Sequence, residues 1–185
     1  MKTVVSLLRA VNVGGHGVIK MADLKTLYES LKFRDVQTYV QSGNVLFRTD
    51  AGDFDAVAKK IQAAVEGRFH VTPGVMLRTV DDLKRIVKKN PFAKRLGIEP
   101  AKLHVCFLQN ALSRGAIGEL GKLTCNPEEL IPSDRELFIY FPNGAGNSKL
   151  PWRAIERICG APGTSRNWNT VNKLLDMAER LDAQK

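Results

Sequence analysis

The sequence predicts an α+β fold: two ferredoxin-like halves (split βαβ, or α/β-plait) in tandem, followed by a C-terminal helix. Three observations predict it. Short runs of apolar residues alternate at period two, and longer ones between them repeat at helical spacing. The first half then reads β-α-β-β-α-β, the order of a plait. A second pass repeats that order, visible in the succession of elements and not in residue identity. At 185 residues the chain has room for two such halves around substantial cores. The expected divisions are 1–80 for the first plait half, 81–100 for a connecting helix and linker, and 101–185 for the second plait-like half with the last helix.

Residues 3–8 are an apolar run suited to a strand buried on both faces. Val11 to Gly17 follows as a loop whose glycines permit unusual backbone angles. Met21, Leu24, Leu27, Tyr28 and Leu31 repeat at helical spacing. Val36, Thr38 and Val40 alternate with Gln37, Tyr39 and Gln41 as a half-buried strand. Ser42-Gly43 is a two-residue turn, and Asn44 to Arg48 returns as the second arm of a hairpin. Asp53 caps a helix whose apolar face is Phe54, Val57, Ala58, Ile61, Ala64 and Val65. Thr72-Pro73-Gly74 breaks that helix, and Val75 to Val80 is the fourth strand.

Asp81 opens a short helix that ends before Asn90-Pro91. Lys102 to Leu108 is then a strand, and Leu112 to Leu123 a helix weakened by three glycines. Glu129–Ile131 and Glu136–Phe141 are strands, and Lys149–Cys159 is a helix stopped by Gly160. A short strand at Gly163–Ser165 completes the second half.

Composition narrows the class. No apolar run reaches the roughly 18 residues a bilayer span needs, and Arg9 interrupts the N-terminal run before it becomes a signal-peptide core. Cys106, Cys125 and Cys159 are scattered, which suits reduced thiols in a cytoplasmic protein. The net charge of +9 favours anionic partners, nucleic acid among them. The basic residues concentrate at Lys84-Arg85-Lys88-Lys89 and Lys94-Arg95. No membrane partner is expected, and the oligomeric state is open.

Two glycine-rich loops lie between a strand and a helix: Gly14-Gly15-His16-Gly17 with Lys20 behind it, and Asn143-Gly144-Ala145-Gly146-Asn147-Ser148-Lys149. Exposed amides ahead of a helix N-terminus can hold a phosphate or carboxylate, though a tight turn explains either loop as well. Neither has Walker A or G-x-G-x-x-G spacing. Arg9 and Asn12 leave the first strand at its C-terminal end, where they serve either an internal anchor or a crevice. Ser42 and Asn44 form either a plain turn or an amide-rich rim beside Arg9.

Thr164 to Thr170 is the densest polar stretch. At about 100° per residue a helix beginning at Arg166 puts Arg166, Asn169, Thr170 and Lys173 on one polar arc. Trp168, Val171, Leu174, Leu175, Ala178 and Leu181 lie opposite. On that reading Arg166, Asn169 and Lys173 face solvent, while Trp168 and Asn167 anchor the helix, Asn167 as a cap or a pin to nearby backbone.

No G-x-S-x-G elbow occurs, the histidines are far apart, His104 and Cys106 lack a zinc complement, and no carboxylate pair sits among the polar loops. No metal or cofactor is expected, and no catalytic residue is assignable.

Three segments together carry a resemblance: Leu7 to Gly15, Tyr39 to Val45 and Thr164 to Thr170. With Phe141-Pro142-Asn143-Gly144 and Ser148-Lys149-Leu150, they are similar, in order, to the signature blocks of the domain of unknown function 1697 family. Phe141 stands where members often carry tyrosine. The resemblance implies a bacterial-type cytosolic protein with a duplicated plait and supplies no activity.

The leading expectation is a binding module for an anionic ligand: nucleic acid, a nucleotide or a phosphorylated metabolite. Its candidate contacts are Arg9, Asn12, Gly14, Gly15, Lys20, Ser42, Asn44, Asn143, Lys149, Arg166, Asn169 and Lys173. The alternatives are an enzyme acting on a small anionic substrate, and a structural protein whose motif blocks only lock the two halves together.

Overall fold

The computed structural model describes residues 1–12, 18–123 and 125–184. The first half comprises β1 (Lys2–Arg9), α1 (Met21–Ser30), β2 (Arg34–Tyr39), β3 (Asn44–Thr49), α2 (Phe54–Phe69) and β4 (Gly74–Thr79). Helix α3 (Val80–Lys88) follows. The second half comprises β5 (Leu103–Phe107), α4 (Arg114–Leu120), β6 (Glu129–Ser133), β7 (Glu136–Tyr140), α5 (Trp152–Cys159) and β8 (Thr164–Asn167), and α6 (Trp168–Ala183) ends the chain. Two four-stranded sheets result, ordered β2-β3-β1-β4 and β6-β7-β5-β8, with antiparallel pairing throughout. Each half therefore places its strands in the same order: second, third, first, fourth.

The chain divides into two compact units, Met1–Lys84 with Leu174–Lys185, and Arg85–Lys173. In the first, one face of the sheet (Val4, Leu8, Val45, Phe47, Val75 and Leu77) packs under α1 and α2 through Leu24, Leu27, Tyr28, Ile61 and Val65. Phe33 stacks on Phe47 with ring centroids 4.3 Å apart. The buried Tyr28 hydroxyl shares a 2.9 Å hydrogen bond with Ser6, and burial raises that phenol far above its ordinary pKa. Asp182 and Gln184 reach the opposite side of the same sheet, where Thr3 donates to Asp182 at 3.1 Å and Arg48 to the Gln184 carbonyl at 3.3 Å. In the second unit Cys106, Leu108, Leu137, Ile139 and Phe141 form the core with Leu120, Leu150 and Ile155.

Several boundaries differ from the sequence reading, each for a local reason. The hairpin turn has four residues, not two: Tyr39 pairs with Asn44, leaving Val40 to Gly43 as the connection. Val40 leaves the strand with φ 49° and is half exposed, so it does not extend the buried alternation. Ser113 caps α4 at the Ala116 amide, which removes Leu112 and Ser113 from the expected helix. Helix α5 begins only at Trp152, because Pro151 occupies its cap position.

The largest correction concerns Arg166. It belongs to β8, not to the last helix, and is 7% exposed, so it does not face solvent. In β8, Thr164 and Arg166 turn inward and Ser165 outward, so period two prevails over the helical wheel. The two halves also share one residue at an equivalent place, which their succession of elements alone did not reveal. Arg78 pairs with Val5 and Arg166 with Val105, each on the fourth strand of its half opposite the middle of the first. Both are buried, and each donates Nη1 to the carbonyl of its preceding residue, Leu77 at 2.9 Å and Ser165 at 2.8 Å. One residue later each strand ends in a helix cap. Thr79 and Asp82 cap α3 reciprocally, and the Asn167 side chain accepts from the Thr170 amide at 2.9 Å to cap α6.

Candidate functional site

The expected contacts fall into two groups, one in each unit. The first gathers where β1 ends and the β2–β3 turn closes. Leu8 donates its amide to the Gly43 carbonyl at 2.9 Å, joining strand end to turn. Gly43 has φ 68°, and a Cβ there would lie 2.9 Å from the Leu8 Cβ, so glycine is required by both conformation and space. Asn44 is fully buried and donates to the Tyr39 carbonyl at 3.0 Å and to Ser42 Oγ at 2.9 Å. Ser42 and Asn44 thus shape the turn from within. Arg9 sits half-buried at the strand end, opposite Gly74.

Asn12 is also engaged internally. Its Oδ1 accepts from the Ile19 amide at 2.7 Å, and its Nδ2 donates to the Ile19 carbonyl at 3.0 Å. The side chain thus pairs with Ile19 as a neighbouring strand would, closing the connection to α1 at its stem. Gly14 and Gly15 lie outside the described residues. Beside the stem is a shallow pocket of about 280 Å³ lined by Asn12, Val18, Ile19, Lys20 and Gln41. Lys20 is exposed and occupies the cap position of α1 with extended backbone and no side-chain cap bond. Gln41 was not singled out from sequence, although it directly precedes Ser42 in a motif that was.

The caps of the other helices show what is unusual at α1. Asp53 caps α2 by accepting from the Asp55 and Ala56 amides at 3.0 Å. Helices α3, α4 and α6 are capped as described above. Among the described residues only α1 and α5 lack a side-chain cap. Ahead of α5, the Glu128 carboxylate accepts the Lys149 amide at 2.9 Å. That bond holds the Glu128 carboxyl below the usual range, helped by Ser148 and the Lys149 charge. The second glycine-rich loop therefore already holds an anion, supplied by the chain itself. Its Asn143 contributes a carbonyl to the Asn147 side chain at 3.0 Å, and Ala145–Asn147 forms a 3-10 turn. Glu128 carries no motif in the sequence and was missed for that reason. In the first turn of α1 the acidic residue is Asp23.

In the rest of the second unit, Arg166 donates to Thr164 Oγ1 at 2.8 Å, and burial pushes its pKa down to about 10, leaving it charged at neutral pH. Asn167 caps α6, Trp168 is half-buried, and Asn169 and Lys173 are exposed. Half of the basic concentrations' residues are paired: Lys84 with Glu179 at 3.4 Å, Arg85 with Asp134 at 3.8 Å, and Arg95 with Glu129 at 2.6 Å. Lys88, Lys89 and Lys94 stay exposed. His104 lies edge-on to Phe141 at 5.1 Å, and burial lowers its pKa.

These features define a mixed α+β protein with two antiparallel sheets of equal strand order and motif residues concentrated at strand ends. Its residues 1–138 match the family described as Protein of unknown function (DUF1697), and the chain belongs to that family. The solved structure of conserved bacterial protein SP0830 from Streptococcus pneumoniae is similar, with a TM-score of 0.74 at 20% identity, covering 96% of this chain and 98% of that one. At that identity the likeness is one of fold. None of the curated proteins compared matches this chain.

Proposed function

We propose that the chain is a binding module for an anionic ligand, built on two ferredoxin-like plaits, with its site at the pocket beside the start of α1. The strand order second-third-first-fourth and the two helices per sheet support the plait reading. The observation that carries the ligand reading is the open N-terminus of α1. Among the described residues no side chain caps its first-turn amides, Lys20 stands at the cap position, and Lys20 also lines the adjoining pocket. The +9 net charge would raise the local concentration of any anion. A phosphate-sized group fits this chemistry, whether free or carried by a nucleotide or a nucleic acid. The three free cysteines suit a cytoplasmic setting.

The test is calorimetric titration of inorganic phosphate, ATP and a single-stranded RNA at low salt, with Lys20→Glu and Lys149→Glu beside the unaltered chain. Saturable binding that weakens about tenfold in Lys20→Glu and not in Lys149→Glu supports the site. No binding of any of the three, or equal affinity in both variants, overturns it.

A second reading is favoured by the internal bonds of Asn12, Asn44 and Asn167, which are spent on the backbone of the fold. In that reading the motif blocks are structural and any ligand-binding residues lie between them.

A further inference from the structure

A second cavity lies at the other end of the first sheet and stands independently of the anion pocket. It is a groove of about 500 Å³, within the roughly 300–1,000 Å³ range of small-molecule sites. Leu31, Phe33, Ala51, Ala56 and Val57 supply its apolar lining.

Its charged groups are arranged unequally. Lys60 lies 5.6 Å from the centre of the Phe33 ring and donates to the Leu31 carbonyl at 3.0 Å, leaving donors to spare. Lys32 also lines the groove, and its backbone is unusual. It follows the C-terminal end of α1 with φ 67°, the left-handed position at which a helix normally ends in glycine. A lysine there gives up conformational ease that glycine would provide, which is accounted for if its side chain has a use. The two carboxylates are already engaged. Asp53 accepts two amides of α2, and Asp50, at the exposed lip, pairs with the Met1 amino group at 3.3 Å.

We propose that this groove binds a small amphiphilic carboxylate, its apolar body against Phe33 and Val57 and its carboxylate between Lys32 and Lys60. An apolar lining calls for an apolar ligand body, and the two ammonium groups with the Met1 amino group exceed the two carboxylates by one positive charge, which calls for a single negative charge.

NMR titration with octanoate, and with octanol as its uncharged counterpart, tests this on the whole chain. Saturable shifts at the Phe33, Ala51 and Val57 amides are expected with octanoate, at an affinity at least about fivefold above octanol, the worth of one screened ion pair. Lys32→Gly is expected to lower octanoate affinity about fivefold while leaving the melting temperature unchanged or raised. Lys20→Glu is expected to leave octanoate binding unchanged, which separates this site from the anion pocket. No saturation, equal binding of octanol, unaltered binding in Lys32→Gly, or loss of binding in Lys20→Glu each overturns the proposal. Ala56→Phe guards against a fortuitous charge effect: it fills the groove from an exposed helical position and should abolish binding without unfolding the protein.

Discussion

Replacing Arg166 tests whether this motif residue acts through packing or through its charge. The side chain is 7% exposed and donates to Thr164 Oγ1 and to the Ser165 carbonyl, both at 2.8 Å. Arg166→Ala removes two buried methylenes, about 1.6 kcal/mol of transfer free energy, and leaves a cavity besides. It also breaks hydrogen bonds that contribute about 1 kcal/mol each. Against this, the lowered pKa shows that burying the charge is itself unfavourable, and the substitution relieves that cost. The balance predicts a loss of about 2–3 kcal/mol for Arg166→Ala. Arg166→Met keeps the stem volume and discards the charge, so it should stay within about 1 kcal/mol of the unaltered protein. Urea unfolding followed by the fluorescence of Trp152 and Trp168 measures both, with each transition fitted separately because the chain has two units. A loss below about 0.5 kcal/mol for Arg166→Ala would refute the buried placement, since changes of that size are typical of exposed positions. Both variants lose the same hydrogen bonds, so Met destabilising more than Ala would show that stem packing contributes nothing favourable there and would refute the packing part of the argument.

Two further predictions concern stability. Gly43→Ala should cost about 1–3 kcal/mol, combining the left-handed backbone with the 2.9 Å approach to Leu8; Gly67→Ala in α2, with open space around it, should stabilise by about 0.5–1 kcal/mol, and equal thermal shifts in the two would contradict this account. The depressed pKa of Glu128 makes its contribution fully present above the ordinary carboxylate range and lost as pH falls through the lowered value. Glu128→Gln should therefore reduce stability at neutral pH and leave little difference in strong acid; denaturation midpoints across that range check the sign.

Much of the fold was legible because local and global signals agree in it. Val4 to Leu8 form a buried strand, the apolar positions of α2 share the core, and Asp53 caps that helix, each as its spacing suggested. Disagreements arose where a distant partner decides a local choice. Leu8 lies far from Gly43 in sequence, so its hold on the turn left no trace in the hairpin pattern itself. Arg166 sits in so short a polar stretch that a strand and a helix explain it equally until Val105 pairs with it. At the candidate site, Lys20 was legible as a cation behind a glycine-rich loop. The missing cap at α1, the internal anion Glu128 and the left-handed Lys32 were not, since each depends on which neighbours reach a backbone group in three dimensions.

The first unit is discontinuous, taking in Leu174–Lys185 as well as Met1–Lys84. Thr3 finds Asp182 across 179 residues. During synthesis, at about 5–20 residues per second, the N-terminal sheet leaves the ribosome long before the segment that completes it. Until then Thr3 and Arg48 lack the Asp182 and Gln184 partners they have in the finished protein. That unit therefore closes only once Leu174–Lys185 has emerged, and the emergence of those dozen residues sets how long its sheet stays open to aggregation.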